Sequence, residues 1–154
     1  MASRYGLTIR AADAGDADGL ASLLRTSGFA SASNGLEKRI GEIHAENGAV
    51  LLASEWGPPS GVIVVHWYWT LASEVKISSV TTLVVDPDQR RRGIGRLLLK
   101  AASQAARSAG CRDLQLFVSA DNDGLEAFCL ATGFMNDGAI FARSLRKQSA
   151  RRIT

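Results

Sequence analysis

Hydrophobic and polar residues repeat with different periods along the chain, and each change of period predicts a new element. Residues 7–10 alternate as a strand does, and residues 17–24 then place Ala17, Leu20, Leu23 and Leu24 on one helical face. Asp13 and Asp16 precede that face as candidate N-caps. Helical composition returns over residues 36–46 after a small, polar loop at 28–35. The first third therefore predicts a strand followed by two helices.

The middle of the chain contains three short runs rich in β-branched and aromatic residues. Residues 50–54 and 61–69 flank a Gly-Pro-Pro-Ser turn, which predicts a hairpin of two strands. Residues 77–85 predict a third strand, and the Asp-Pro-Asp sequence at 86–88 is turn chemistry that ends it.

The last third predicts a long helix between two strands, then a short helix and a final strand. Apolar residues repeat with helical period from Ile94 until Gly110. A strand is predicted at 114–118, a helix at 125–132, and a closing strand or hairpin over 134–145 around Asn-Asp-Gly. The fold class is α/β (α+β), with one mixed sheet and helices on both faces.

Length and charge limit the choice of function. A chain of 154 residues that is 46% hydrophobic has the size and core of one domain. The net charge of +3 comes from residues 143–154, which hold five bases and no acid, whereas the rest has 13 bases against 15 acids. We therefore expect one domain over 1–146, a flexible basic tail over 147–154, and no nucleic-acid partner.

The cysteines and the apolar runs exclude further classes. Cys111 and Cys129 lie 18 residues apart without a CxxC motif or a histidine cluster, which favours a reducing cytoplasm and no metal. The N-terminus lacks a signal-peptide core, and the longest uncharged run is too short in apolar residues to span a membrane. We expect no membrane partner.

Candidate chemistry is concentrated in residues 90–96, Arg-Arg-Arg-Gly-Ile-Gly-Arg, between a predicted strand and a predicted helix. A helix N-terminus offers free N–H groups to phosphate, glycine allows close approach, and arginine adds forked donors. The alternative interpretation is a solvated arginine run beside a turn. The GxGxxG dinucleotide fingerprint fails at Leu98, and a P-loop sequence is absent from the chain.

Residues 84–98 resemble the acetyl-CoA motif of the GCN5-related N-acetyltransferase (GNAT) family. The motif Q/R-x-x-G-x-G/A is matched at Arg90, Gly93 and Gly95. Residues 122–134 resemble a second family segment, N-x-x-A-x-x-x-Y-x-x-x-G-F, which is matched at Asn122, Gly133 and Phe134. The order of predicted elements agrees with the family over nearly the whole chain.

The resemblance implies a GNAT fold whose central strand pair splays apart, and an enzyme that moves an acetyl group from acetyl-CoA to a primary amine of a small molecule or peptide. Direct attack in a ternary complex, no metal, and compatibility with a homodimer also follow from it. An amide near Val85 would hold the oxyanion. The implied acetyl-CoA residues are Leu83, Val84, Val85, Arg90, Arg91, Arg92, Gly93, Ile94, Gly95, Arg96 and Asn122.

The catalytic positions depart from the family pattern. Cys129 stands where the resemblance implies a tyrosine general acid, and it is either a substitute acid or a buried cysteine that packs. Ser79 stands where some members place a glutamate base. Glu74 and His66 are the nearest candidate bases, and the alternatives are an exposed charge and a sheet-packed histidine. A non-catalytic acyl-CoA-binding module is the second hypothesis.

Four features are candidates for recognising the acceptor amine, because carboxylates and aromatic rings suit a cation. Their alternative roles are a solvated helix face and ordinary core packing. They are the 28–35 loop, the helix bearing Glu37, Glu42 and Glu46, the aromatic run 67–69, and the Asn-Asp-Gly turn at 136–138.

Overall fold

The computed structural model describes residues 3–4, 6–29, 34–90 and 92–147. Part of the predicted 28–35 loop, Arg91 and residues 148–154 of the predicted tail lie outside this description. The chain divides into two compact units, Met1–Phe117 and Val118–Thr154. Each unit is described by itself.

The described residues of the first unit form one mixed sheet whose six strands lie in sequence order. Neighbouring strands pair antiparallel except for the last two, which are parallel. The strands are β1 (Ser3–Arg4), β2 (Leu7–Ala11), β3 (Gly48–Ser54), β4 (Gly61–Tyr68), β5 (Ile77–Val85) and β6 (Leu114–Leu116).

Two helices cover one face of this sheet. They are α1 (Ala17–Thr26) and α2 (Leu36–Ala45), and Asp13 caps a 3-10 turn, Ala14–Asp16, that leads into α1. Their apolar residues pack on the central strands because each helix repeats apolar positions on one side. This cluster contains Leu20, Leu23, Ile40, Val50, Leu52, Val62, Val64 and Val84.

A longer helix, α3 (Ile94–Ser108), covers the opposite face and directs Ile94 and Leu98 onto β4. A Cβ at Gly61 would lie 2.9 Å from Leu98 Cδ1 and 3.0 Å from Ile94 Cγ2, so glycine permits this close approach. Helices therefore lie on both faces, as predicted. Within the described residues, no helix is both long and apolar enough to cross a membrane.

The second unit contains α4 (Asp123–Ala131), which begins where the Asn122 side chain accepts a hydrogen bond from the Leu125 amide. The closing strand predicted at 134–145 is wrong, because residues 134–146 form no regular element. Within the predicted turn, Asn136 Oδ1 accepts a local hydrogen bond from the Gly138 amide at 3.3 Å, but no hairpin forms around it. The apolar residues Met135, Ile140 and Phe141 are exposed, so this segment has no buried apolar face that would stabilise a strand.

Candidate functional site

One edge of β5 loses its strand partner halfway along. β6 pairs only with Ser78, Ser79 and Val80, so the stretch Thr81–Val85 has no partner on that side among the described residues. The predicted strand at 114–118 is shorter than expected, since β6 ends at Leu116. The result is the splayed strand pair expected from the sequence, with an open edge on β5.

The direction of the β5 peptide groups follows from its last hydrogen bond. The Asp86 amide donates to the Ser60 carbonyl, on the β4 side, at 2.8 Å. Because N–H and C=O groups alternate sides along an extended strand, those of Val84 also point towards β4. The N–H and C=O groups of Leu83 and Val85 therefore point to the open edge, where a ligand that carries amides would satisfy them.

Residues 86–93 connect the end of β5 to the N-terminus of α3, where Ile94 packs against Gly61, the strand partner of Val85. Gly93 is the N-cap of α3, with φ 76° and ψ 14°, a left-handed conformation that glycine adopts without steric cost. Among the described residues no side chain caps this helix, and its first turn, residues 94–97, contains no acidic residue. The amides of Ile94, Gly95 and Arg96 are therefore available to an anion, and the helix dipole favours a negative charge there.

The arginines of residues 90–96 differ in their partners. Arg92 forms an ion pair with Glu55 and donates a hydrogen bond to Gln89. Arg90 and Arg96 are exposed and make no ion pair within the described residues. These two arginines keep their guanidinium groups free for a ligand that binds at the α3 N-terminus.

A histidine lies beside the beginning of the open edge. His66 of β4 pairs with Ser79 of β5, and its Nε2 atom lies 2.9 Å from Thr81 Oγ1. The sequence predicts His66 as a candidate base near the catalytic site. Its contact with Thr81, however, depends on a β-bulge that cannot be predicted from the local sequence pattern. Glu74, the other candidate base, is exposed in the connection between β4 and β5, three residues before β5 begins.

The candidate residues of the second unit have different environments. Asn122 is exposed and caps α4. Cys129 is buried with 6% of its surface exposed, and burial raises the pKa of its thiol. A higher pKa disfavours the thiolate that a proton donor leaves behind, which supports the packing interpretation of Cys129. Leu130, the next residue of α4, is exposed.

The candidate acceptor features of the first unit are mostly exposed. Tyr68, the last residue of β4, is 45% exposed, and Trp69, which follows it, is 65% exposed. Lys76 Nζ lies 5.6 Å from the Trp69 ring centroid. A groove between α1 and α2 is lined in part by Asp18, Glu37, Lys38 and Glu42. Carboxylates predominate there, as would suit a cationic amine.

Comparison with known proteins agrees with this geometry. The sequence profile of the Acetyltransferase (GNAT) family matches residues 19–134, about three quarters of the chain. The chain belongs to the GNAT family. This family match includes β5, the arginine-rich segment 90–96 and α4, which are the elements on which the sequence resemblance depended.

Curated relatives resemble parts of this GNAT chain. An uncharacterized N-acetyltransferase of Methanocaldococcus jannaschii is 33% identical over 79 residues, which are 51% of the chain and 35% of that protein. Mycothiol acetyltransferase of Propionibacterium freudenreichii is 29% identical over 105 residues, 61% of the chain and 34% of that protein. The chain thus spans about a third of the length of these relatives.

Solved structures share the fold. The aminoglycoside N-acetyltransferase AAC(6')-Iy in complex with CoA superposes with a TM-score of 0.79 and 19% identity, covering 91% of this chain and 95% of that one. An aminoglycoside acetyltransferase from an uncultured soil metagenomic sample, in complex with sisomicin, gives 0.74 at 18% identity, with coverages of 92% and 97%. An acetyltransferase of Trypanosoma brucei superposes with a TM-score of 0.76 and 20% identity, covering 90% of this chain and 99% of that one.

Proposed function

We propose that this GNAT chain transfers the acetyl group of acetyl-CoA directly to a primary amine of a small molecule or peptide. The observation that carries the proposal is the continuity between the open edge of β5 and the uncapped N-terminus of α3. The pantetheine arm contains two amides, which suit the peptide groups of Leu83 and Val85. Its pyrophosphate suits the amides of residues 94–96, with Arg90 and Arg96 adding charge.

Membership of the GNAT family supports this assignment, and so do two solved structures of similar fold that contain CoA or a CoA analogue. The similar structures include one with CoA and one with a bisubstrate analogue of CoA and acetylneamine. Side chains of Arg91 and Arg92 are less important in the proposal, because backbone amides hold the pyrophosphate and Arg92 is paired with Glu55.

The chemistry requires an oxyanion donor and proton transfers. A neutral amine attacks the thioester carbonyl, the new C–N bond forms, and a peptide N–H of the open edge stabilises the oxyanion. The C–S bond then breaks. One of the two protons on the attacking nitrogen passes to the departing sulfur, and the other stays in the amide product. A protonated Cys129 is not required in this sequence. Holding both reactants together contributes several kcal/mol by proximity, roughly 7 or more in favourable cases.

We propose that the acceptor is cationic before it reacts and is drawn in by the carboxylates of the α1–α2 groove. Asp18, Glu37 and Glu42 are among the described residues that line this groove, and Lys38 there is paired with Glu42 at 3.8 Å. The free thiols Cys111 and Cys129 favour a reducing compartment, so we propose a cytoplasmic location.

The test is thiol release from acetyl-CoA with a panel of amines, together with mass spectrometry of the acetylated product. The panel contains spermidine, sisomicin, a free amino acid and a peptide with a free N-terminus. We expect at least one amine to give stoichiometric product and thiol, and the Gly95→Asp variant to lose this activity. Acetyl-CoA binding without transfer to any amine would instead indicate a binding module.

A further inference from the structure

The contact between His66 and Thr81 coincides with an irregularity in the sheet. Val64 pairs with Thr82 and Val65 pairs with Val80, so Thr81 is an extra residue on β5. Such a bulge turns a side chain away from the direction that regular alternation would give it. Here it brings Thr81 Oγ1 to 2.9 Å from His66 Nε2.

The bulge lies where the acetyl group is expected. Thr81 follows Val80, the last residue that β6 covers, so Thr81 begins the open edge. From Val85 back to Thr81 the strand extends about 13 Å. The pantetheine arm has about 13 bonds between phosphorus and sulfur and spans about 15 Å when extended. An arm that starts at the α3 N-terminus therefore places its thioester beside Thr81–Leu83, so the amide that stabilises the oxyanion lies there rather than near Val85, where the family resemblance implied it.

The other nitrogen of His66 is open. Nδ1 makes no hydrogen bond within the part of the chain that the structure describes. The one buried side-chain polar atom without a partner there is Ser27 Oγ, so Nδ1 of the half-buried His66 is accessible to solvent. If Nε2–H donates to Thr81 Oγ1, the lone pair of the imidazole is on this open Nδ1 atom.

We propose that His66 is the general base of the acetyl transfer and that Thr81 is the residue that positions it. The inference rests on the proposed function. Nδ1 takes one proton from the alkylammonium group, directly or through one water, and the neutral amine then attacks the thioester. The proton on His66 returns to solvent after the product leaves. Two protons then remain on the attacking nitrogen: one passes to the departing sulfur and the other stays as the N–H of the new amide, so the reaction is balanced.

The surroundings of His66 make a matched control available. Its paired neighbours, Gly48 on β3 and Ser79 on β5, carry no charge. Glu42, His44 and Glu46, near the end of α2, are exposed. The chain has two histidines, so the His44→Gln protein contains His66 as its single histidine. The same variant also serves as the control substitution.

The first measurement does not depend on turnover. Long-range ¹H–¹⁵N spectra of the His44→Gln protein report which nitrogen of His66 carries the proton. We expect the Nε2–H tautomer to dominate in the neutral form of the ring. Thr81→Val should redistribute the tautomers and Thr81→Ser should restore them. A dominant Nδ1–H tautomer would overturn the proposal, because Nδ1 then has no lone pair to accept a proton.

The second measurement compares two acceptors of similar shape, ethylamine and 2,2,2-trifluoroethylamine, each in excess at neutral pH. Ethylamine is then mostly protonated, whereas the fluorinated amine is mostly neutral and needs no base before attack. His66→Gln should slow ethylamine acetylation by roughly 10²- to 10⁴-fold, while the fluorinated amine loses less than about tenfold. His44→Gln should leave both rates near those of the wild type.

Equal loss with both amines would overturn the assignment of His66 as base. A wild-type protein that acetylates no amine would refute the proposed function instead, and the tautomer spectra would still decide how Thr81 holds His66. The two failures are therefore distinguishable.

Discussion

Glu55, in the connection between β3 and β4, is paired with Arg92, which lies 37 positions further along the chain. The carboxylate neutralises one arginine of the segment that leads to the α3 N-terminus. The pairing divides the described arginines of that segment into one that is engaged and two, Arg90 and Arg96, that are free.

This pairing predicts unequal effects of arginine substitutions on acetyl-CoA binding. Arg92→Gln should weaken affinity by less than about threefold, because its charge is already balanced. Arg90→Gln should weaken the affinity for acetyl-CoA more than Arg92→Gln does. Glu55→Gln should strengthen acetyl-CoA binding at low salt, because it frees the charge of Arg92. Calorimetry at two salt concentrations measures these changes. Weaker binding in Glu55→Gln would contradict this account.

Gly95 lies in the first turn of α3, where the pyrophosphate is proposed to bind. Gly95→Asp should weaken acetyl-CoA binding at least tenfold, about 1.4 kcal/mol, because it adds a side chain and a negative charge. Gly41→Asp is the control. Gly41 lies on α2, away from the α3 N-terminus, and a Cβ there would meet no atom within 4 Å. Unchanged affinity in folded Gly95→Asp would place the phosphates elsewhere.

Arg10 and Asp16 form a two-point ion pair with distances of 2.9 and 2.7 Å. The hydrogen bond from Arg10 lowers the pKa of Asp16, so the pair stabilises the fold above the unfolded value of about 3.9. That contribution disappears as the pH falls through the lower folded value. Asp16→Asn should lower the free energy of unfolding by about 1 kcal/mol at neutral pH, a figure reduced because Arg10 is partly exposed to solvent. The loss should become progressively smaller as the pH falls.

Urea unfolding at several pH values measures this difference, and Asp18→Asn, at an exposed position of α1, is the control. A cost for Asp16→Asn that does not diminish in acid would show that the stabilisation is independent of the charge on Asp16.

Cys129 is expected to stabilise α4 by packing. Cys129→Ala should lower the free energy of unfolding by about 1 kcal/mol and change turnover by less than threefold. Because burial raises the pKa of this thiol, it should also react slowly with alkylating reagents. Cys111→Ala, at the other buried cysteine, is the matched comparison. A loss of 10² or more in turnover with intact acetyl-CoA binding would make Cys129 the acid.

Local pattern was sufficient where an element is specified by its own residues. The strand at 77–85 was predicted with the observed bounds, because a β-branched run ends there at Asp-Pro. The α3 helix begins at Ile94, as its apolar period indicates. The family motif likewise lies within one continuous stretch, so an acetyl-CoA site there can be predicted from the sequence alone.

Features that depend on pairing between distant segments were not predictable in this way. The contact of Thr81 with His66 arises from a bulge, and the pair formed by Glu55 and Arg92 joins two turns. The length of β6 is set by where β5 and β6 separate, since the apolar residues continue past Leu116 to Val118. Each of these depends on register, which a single sequence specifies only indirectly.

Amide hydrogen exchange at Leu83 and Val85, measured with and without acetyl-CoA, tests the central claim most directly. Their N–H groups point to the open edge of β5, so a bound pantetheine arm should accept hydrogen bonds from that edge and slow exchange there. We predict at least tenfold slower exchange at Leu83 or Val85, together with protection at Ile94, Gly95 and Arg96. Saturating acetyl-CoA that leaves all these amides unprotected would contradict the proposed binding site.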